Sequence, residues 1–435
     1  MPHHNPTSSL HFQRGVPSHN PRAITPQEIC EALHPYQLES SSTLGLSLGP
    51  YNTSETPEAI SINHLPLEIL AEIFLLCPRG SLRRLQFERP PDPRRRRAPL
   101  LLCQVCRYWR KVALSLPLLW CSLSGTGPFT PHPVFIELWL TRSRGLPLSL
   151  SLAAPVGRGD TPKYHAHASK MFDLFSNEMY RWRTIAFTLN DNLARQFIAT
   201  VDSKAQILEE LELAFEEPSS TSAKVSALLS SLPKLRHLSW VGRLSAMSLR
   251  NIPFHRLTHI YMASDNSAQD VVTCVSQCTA ALEIRWDCVD YWDSPSVCGL
   301  PRSTLLHLRS LYLKGTGDLA HILSWLTLPS LKYLCLKTRS KTRDHRSLED
   351  FFDRSACPLQ HFILKDGCVD QESIVKYLTI PFLETIPDIQ VYLGGISEQV
   401  VLREMQEVKD SQDTPTFHRL QISYPECRWP AFTWK

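Results

Sequence analysis

One spacing of apolar positions recurs along most of the chain: an apolar residue, a second one three positions on, and a third two positions after that. It fits Trp182/Ile185/Phe187, Leu208/Leu211/Leu213, Leu235/Leu238/Trp240 and Leu257/Ile260/Met262. It continues through Ala281/Ile284/Trp286, Leu308/Leu311/Leu313, Leu331/Leu334/Leu336 and Leu359/Phe362/Leu364. Successive starts are 22 to 28 residues apart. The second and third positions lie on the same side of a strand and point inward. The residues before, between and after them point outward, because side chains alternate along a strand. Helix-compatible segments such as Ser222–Leu232, Ala268–Cys278 and Ser347–Arg354 separate the copies. Proline often precedes the strand, as at Pro233, Pro329 and Pro358, and at Pro381 in a degenerate copy. One strand and one helix per copy, stacked in order, predicts a parallel sheet along one face of an α/β solenoid.

Upstream the period changes to that of helices. Leu67, Leu70, Phe74 and Cys77 form one apolar stripe behind Pro66, a residue suited to a first helical turn. Leu102, Val105, Trp109, Val112 and Leu116 form another, in a helix starting near Pro99 and ended by Pro117. Arg107, Arg110 and Lys111 fall mostly outside that stripe. Pro78–Ala98, with its run Arg94–Arg97, reads as a loop. Val134–Arg142 then Leu148–Leu152 reads as a helix and a strand leading into the repeats, and Phe417/Leu420/Ile422 as a closing strand. Residues 1–59 are rich in Pro, Ser, Thr, His and Asn with no sustained apolar period, which predicts a disordered tail. Three domains are therefore expected: the tail 1–59, a helical unit 60–125 and a repeat domain 126–435.

The segment Ile62–Trp120 carries Leu65-Pro66-Leu67-Glu68-Ile69-Leu70, then Val105-Cys106-Arg107-Tyr108-Trp109, then Leu119-Trp120. It resembles the F-box, whose pattern is an LP-x-E-[IL]-L opening, a V-C-x-x-W core and a closing L-W. The downstream repeats resemble leucine-rich repeats, whose period is about 20–29 residues. The Asn or Cys expected three residues after the third apolar position is replaced by Glu216, Arg243 and Arg339. The combination is similar to the large F-box families of mushroom-forming fungi. Trp120-Cys121-Ser122-Leu123-Ser124, Phe135–Arg142 and Leu148–Leu152 follow the same order there. The basic loop is longer than the typical F-box connection.

This resemblance implies a fold and a role. The expected fold is α/β: a small helical F-box module followed by an irregular leucine-rich-repeat-like α/β solenoid with a parallel sheet. The implied role is a substrate receptor that docks on a Skp-type adaptor of a cullin–RING ubiquitin ligase and recruits a protein target. Docking would fall to Leu65, Pro66, Ile69, Leu70, Ile73, Val105, Cys106, Trp109, Leu119 and Trp120. For Leu70 and Val112 a place in the module's own core is an equal reading; Pro66 and Trp120, nearer the ends, favour docking. The alternative role is a protein-binding scaffold whose F-box-like segment does not serve ubiquitin transfer.

The target is expected on the outward strand positions. These begin with Glu210 and Glu212, and continue as His237, His259, Tyr261, Arg285, Tyr312, Lys314, Tyr333, Lys337, His361 and Lys365. The row runs from acidic to aromatic and basic. Its later half suits an acidic or phosphorylated segment, with Tyr312 and Tyr333 as anchors.

Composition adds boundaries. The 435 residues carry 20% charged side chains and a net charge of +4, which gives no case for nucleic acid. No apolar run approaches a membrane span. The sequence starts without the apolar core of a signal peptide, so cytosol or nucleus is expected and the 13 cysteines are read as reduced. Cys103-x-x-Cys106 invites a zinc or redox reading, but no second pair is suitably spaced, and no metal or cofactor is expected. Cys274 and Cys278 read as core, and His165-Ala166-His167 as a solvated helix face. Arg94–Arg97 reads as a solvated loop, or as a signal for an import receptor. No phosphate loop, nucleophile elbow or other catalytic set is found, so the chain is read as a non-enzyme, with an unrecognised hydrolase or metalloenzyme as the remote alternative.

Overall fold

Fourteen strands punctuate the described chain, twelve of them in one sheet. They are β1 (Ser122–Thr126), β2 (Leu148–Ala153), β3 (Trp182–Leu189), β4 (Glu210–Phe215), β5 (His237–Val241), β6 (His259–Ser267) and β7 (Glu283–Asp290). Then follow β8 (Ser303–Thr304), β9 (Ser310–Gly315), β10 (Leu326–Thr327), β11 (Tyr333–Thr338), β12 (His361–Asp366), β13 (Asp388–Leu393) and β14 (Leu420–Ser423). The computed structural model describes residues 62, 65–76, 98–126, 133–153, 162–201, 204–215, 220–290, 302–317, 319–338, 345–366, 381–393 and 420–423. All of them belong to one compact unit, Thr53–Lys435. The expected tail, the Arg94–Arg97 loop and Phe417 lie outside the described residues.

The large sheet is parallel and its strands follow one another in chain order, with β8 and β10 forming a separate two-stranded pair. A right-handed crossover is the rule between parallel strands. Repeating it always in the same direction lays every connection on one face. Helices of successive connections accordingly pack on each other: Pro133–Arg142 on Pro162–Ser176, that helix on Asp191–Thr200, and that one on Ser220–Leu228. All eight expected strands are present. Their second and third apolar positions, such as Leu211/Leu213, Ile284/Trp286 and Leu334/Leu336, are buried in one core that runs from Leu70 to Ile389.

The first apolar position of each copy is buried, just before the strand in copies such as those of Leu208, Leu235 and Leu308 and at its first residue in that of Trp182. There the chain repeats a backbone device. The N–H groups of Arg236 and His237 both donate to Glu209 O, at 2.9 and 3.0 Å. Thr258 and His259 do the same to Arg236 O, and Leu282 and Glu283 to Thr258 O. The pattern continues from Arg309/Ser310 to Leu282, Lys332/Tyr333 to Arg309, and Gln360/His361 to Lys332. Each copy thus hangs two donors on one carbonyl of the copy before it.

Three arginines tie neighbouring copies on the helical side. Arg181 Nη2 donates to Leu140 O at 3.0 Å and to Ser143 Oγ at 2.6 Å. Arg256 Nη2 donates to Leu229 O at 2.7 Å, and Arg354 Nη2 to Leu323 O at 2.9 Å and Leu326 O at 3.0 Å. Each guanidinium meets carbonyls at the end of a preceding helix, where four such groups lack intrahelical partners and the dipole favours a cation. One buried side chain, Asn266, also reaches the preceding copy, donating to Leu244 O at 3.0 Å. It follows Met262 by four residues rather than three, and the β6–β7 register is irregular between Ala263 and Asn266.

Candidate functional site

Two surfaces carry the residues singled out from sequence. The first is the helical segment ahead of β1. In the helix Leu67–Leu76 only Leu70 and Phe74 are buried, and Phe74 meets Trp109 with ring centroids 4.9 Å apart. Leu67, assigned to the inward stripe by spacing, is exposed instead. The second expected helix is divided into Ala98–Val105 and Arg107–Ser115. The break falls at Cys106, whose extended backbone makes it an N-cap and whose thiol accepts the Trp109 N–H at 3.4 Å. The break also shifts the helical phase, which leaves Val105 59% exposed, outside the stripe predicted for it.

The ten expected docking residues separate into three groups. Pro66, Ile69 and Val105 are exposed, and Leu65 and Cys106 are partly so. Ile73 and Trp109 are partly buried, packed against the core. Leu70, Leu119 and Trp120 are buried and are withdrawn from any docking surface, which corrects the expectation for them. Trp120 has a partner inside the fold. Its Nε1–H donates to Ala113 O at 2.9 Å, and its ring meets Trp139 edge-on at 4.9 Å, joining the helical segment to the first crossover helix. Buried indoles of this kind need both an apolar pocket and an acceptor, and the fold supplies both.

Besides Ile69 and Val105, exposed apolar side chains that the sequence reading did not select lie in the same segment. Ile62, Leu67, Ile69, Leu76, Leu101, Val105 and Leu118 are all at least 40% exposed. They are seven of the ten large exposed hydrophobics among the described residues; the others are Tyr180, Met247 and Leu306. Scattered single exposures are ordinary on a protein surface, whereas a concentration in one segment marks an interaction region.

The second surface is the sheet face opposite the helices. In one rung Glu210, His237, His259, Glu283, Ser310, Tyr333, His361 and Asp388 are successive partners. In the next, Glu212, Ser239, Tyr261, Arg285, Tyr312, Cys335 and Ile363 follow one another. In the third, Lys314, Lys337 and Lys365 are in register. Every outward residue expected from the spacing therefore lies on this face.

Its polar groups are already organised. The Arg285 guanidinium lies over the Tyr261 ring at 4.9 Å and the Tyr312 ring at 4.5 Å, and Lys337 Nζ lies over Tyr312 at 4.9 Å. Asp287 holds this stack from one side: its carboxylate is 3.3 Å from Arg285 Nη2 and accepts the Tyr261 hydroxyl at 3.3 Å. Asp287 was missed from sequence, although it follows Trp286 at an outward position. At the acidic end His237 Nδ1 is 3.2 Å from Glu210 Oε1, and the His237 and His259 rings meet edge-on at 4.2 Å. At the other end His361 Nδ1 is 2.8 Å from Asp388 Oδ2.

Part of this face has closed over itself. Tyr312, Cys335 and Ile363 form a small apolar cluster with Tyr333 against it, separate from the main core. Tyr312 is only 8% exposed, so its ring is mostly spent on this packing. Burial pushes the Tyr261 and Tyr312 hydroxyls well above the usual phenol range, and Asp287 adds to both. Burial likewise pushes the Cys335 thiol up to about 12. Burial is the largest influence on Arg285 and works against its charge, but Asp287 with Tyr312 and Tyr261 together raise its pKa. Lys337 and Lys365 are both lowered, by burial first and by neighbouring cations, Lys314 among them.

Among the described residues no group of three or more His, Cys, Asp or Glu side chains is placed to hold a metal ion. Cys103 is pushed up by burial; Cys274, in the helix Ala268–Ser276, and Cys278, just after it, are both buried. His165 Nδ1 lies 2.8 Å from Asn190 Nδ2. No helix among the described residues is long and apolar enough to cross a membrane. Neither a protein-family model nor a curated protein sequence matches the chain.

Proposed function

We propose that the chain is an F-box-type substrate receptor. The helical segment Leu65–Trp120 docks on a Skp-type adaptor of a cullin–RING ubiquitin ligase, and the leucine-rich-repeat-like sheet holds a protein target. The observation that carries this reading is the concentration of exposed apolar side chains in the helical segment that also carries the F-box-like motif. Ile69 and Val105 combine motif position with exposure, while Leu70 and Trp120 support the surface from beneath. The receptor carries out no bond chemistry. It raises the effective concentration of the target beside the transferring enzyme.

Co-purification of the chain with a recombinant Skp-type adaptor and cullin tests the reading. Ile69→Asp with Val105→Asp is expected to weaken adaptor capture at least tenfold while the melting curve stays in place. Truncating an interface anchor typically costs more than about 1 kcal/mol, and two charged replacements exceed that. Adaptor capture unchanged by the double substitution would overturn the docking surface. Adaptor bound without cullin would favour the scaffold role.

A further inference from the structure

Several cations of the repeat region have carboxylate partners. Arg183 meets Glu209 at 2.9 Å, Arg243 meets Asp265 at 3.3 Å and Arg285 meets Asp287 at 3.3 Å. The rim where the chain enters the later strands differs. The segments leading into β5, β6, β7, β9, β11 and β12 (229–236, 250–258, 277–282, 302–309, 324–332 and 356–360) contain no Asp or Glu. They carry Lys234, Arg236, Arg302, Arg309 and Lys332, all exposed. None of these makes an ion pair among the described residues. Arg236 donates to main-chain carbonyls of its own segment, Pro233 O at 3.4 Å and Leu235 O at 3.0 Å. Arg309 and Lys332 start adjacent copies, since the Lys332 N–H donates to Arg309 O at 2.8 Å. Like charges therefore gather here. Burial first, and then Arg236, pushes the Arg256 pKa down; burial first, and then Arg302, does the same to Arg354 against Asp350. Arg256 and Arg354 are bound to helix-end carbonyls, which leaves the outer cations as what the rim presents. Between Arg302 and Arg309 lies Leu306, 59% exposed.

We infer that this basic rim docks an acidic segment of a protein partner, at a site separate from both the helical segment and the outward sheet face. The strands β5, β6, β7, β9 and β11 follow one another in the sheet, so at about 4.8 Å per step the cations are spread over about 19 Å. An extended segment advances about 3.3 Å per residue, so about six residues cross the rim. Unmatched like charges repel, and carboxylates laid along them remove that cost. The class of partner follows from what accompanies the cations. Single-stranded nucleic acid stacks its bases on exposed rings beside a basic track. In these segments Phe254 is buried and Trp325 is half-buried with a buried Nε1, so no aromatic platform is offered. Docking on a lipid surface takes in a set of apolar side chains. Leu306 is the one large apolar side chain exposed in these segments. A protein segment that combines carboxylates with an apolar residue matches both the cations and Leu306. The rim stands on its own charges, whether or not the helical segment binds an adaptor.

Fluorescence anisotropy on the full-length protein tests this with a fluorescein-labelled hexaglutamate peptide flanked by Gly-Ser. A hexaglutamine peptide, a labelled oligothymidylate and vesicles of phosphatidylcholine with phosphatidylserine serve as comparators. Binding of hexaglutamate is expected, weakening as salt rises, with at least tenfold weaker binding of hexaglutamine. Arg236→Gln, Arg309→Gln and Lys332→Gln together are expected to reduce hexaglutamate binding at least tenfold, with the circular dichroism spectrum unchanged. Lys314→Gln, on the outward sheet face, is expected to leave it unchanged. If the triple variant unfolds, the single Arg309→Gln and Lys332→Gln variants are read instead, each expected to weaken binding severalfold. Equal binding of the two hexapeptides, or folded rim variants that bind as the parent does, would overturn the inference. Loss of binding in Lys314→Gln with the rim variants intact would move the acidic segment to the sheet face and overturn it as well. Oligothymidylate or vesicles bound through the rim cations more than tenfold tighter than hexaglutamate would overturn the choice of a protein partner. Adaptor co-purification is measured beside these, and its failure with rim binding intact would count against the receptor role alone.

Discussion

Replacing Arg181 by alanine is expected to destabilise the protein by about 3 kcal/mol, and the figure follows from its surroundings. The side chain is only 4% exposed. Its Nη2 makes two hydrogen bonds, to Leu140 O at 3.0 Å and Ser143 Oγ at 2.6 Å. Its Nε lies 2.9 Å from Glu178 Oε2, at an angle too poor for a hydrogen bond, so that contact is an ion pair. Hydrogen bonds from a charged group contribute roughly 1.5–3 kcal/mol each. Two features reduce the loss. Leu140 O keeps a bond from the Ser143 hydroxyl at 2.7 Å, and Glu178 is exposed enough to turn to water. Arg181→Met keeps most of the apolar stem and is expected to cost about 2 kcal/mol, since the polar part alone is lost. Urea denaturation followed by tryptophan fluorescence reads this directly, because Trp182 is adjacent and fully buried. If Arg181→Ala shifts stability by less than about 0.5 kcal/mol, the tie between neighbouring copies is not a stabilising element and the reasoning fails.

Two further outcomes follow from burial. Trp120→Ala is expected to cost about 3–5 kcal/mol, the range for emptying a large aromatic site, with adaptor capture falling only as far as the folded fraction does; a fully stable Trp120→Ala protein that no longer captures adaptor would return Trp120 to the interface. Thiol labelling at pH 8 should modify the exposed Cys288 and spare Cys335, because a thiol raised to about 12 is almost entirely protonated there and reacts only as the pH climbs towards that value or the fold opens; equal labelling rates would contradict the packing around Cys335.

The strands were readable because two independent periods coincide in them. The inward pair two residues apart marks a strand face, and the return of the triplet after 22 to 28 residues marks the next copy. Strand order and rung register follow, which is why the outward residues expected from spacing share one face. The helical segment was less legible. Cys106 gave no signal as an N-cap, since cysteine rarely fills that place, and without the break the phase of Val105 is misread. Trp120 shows a different limit. An aromatic residue at the end of a motif has the same letter whether it fills a pocket or projects, and only its neighbour Trp139 and the Ala113 carbonyl decide between them. Asp287 was within reach. It sits at an outward position, but one carboxylate among basic and aromatic residues was read past, and it pairs with Arg285.

The paired donors that link each copy to the one before have a consequence for how the chain acquires its structure. Each link closes a loop of only 22 to 29 residues, since Thr258 reaches Arg236 and His361 reaches Lys332. The entropy of such closures grows slowly with length and is met one copy at a time, with no distant pair of ends to bring together. A nucleus of two or three copies can therefore form anywhere along the sheet and extend in both directions. Amide exchange should then show a gradient, with the slowest protons in the central strands β5, β6, β7 and β9, and faster ones towards β1 and β14. A lesion in a central copy would divide the molecule into two short stacks, whereas one at an end would only shorten it.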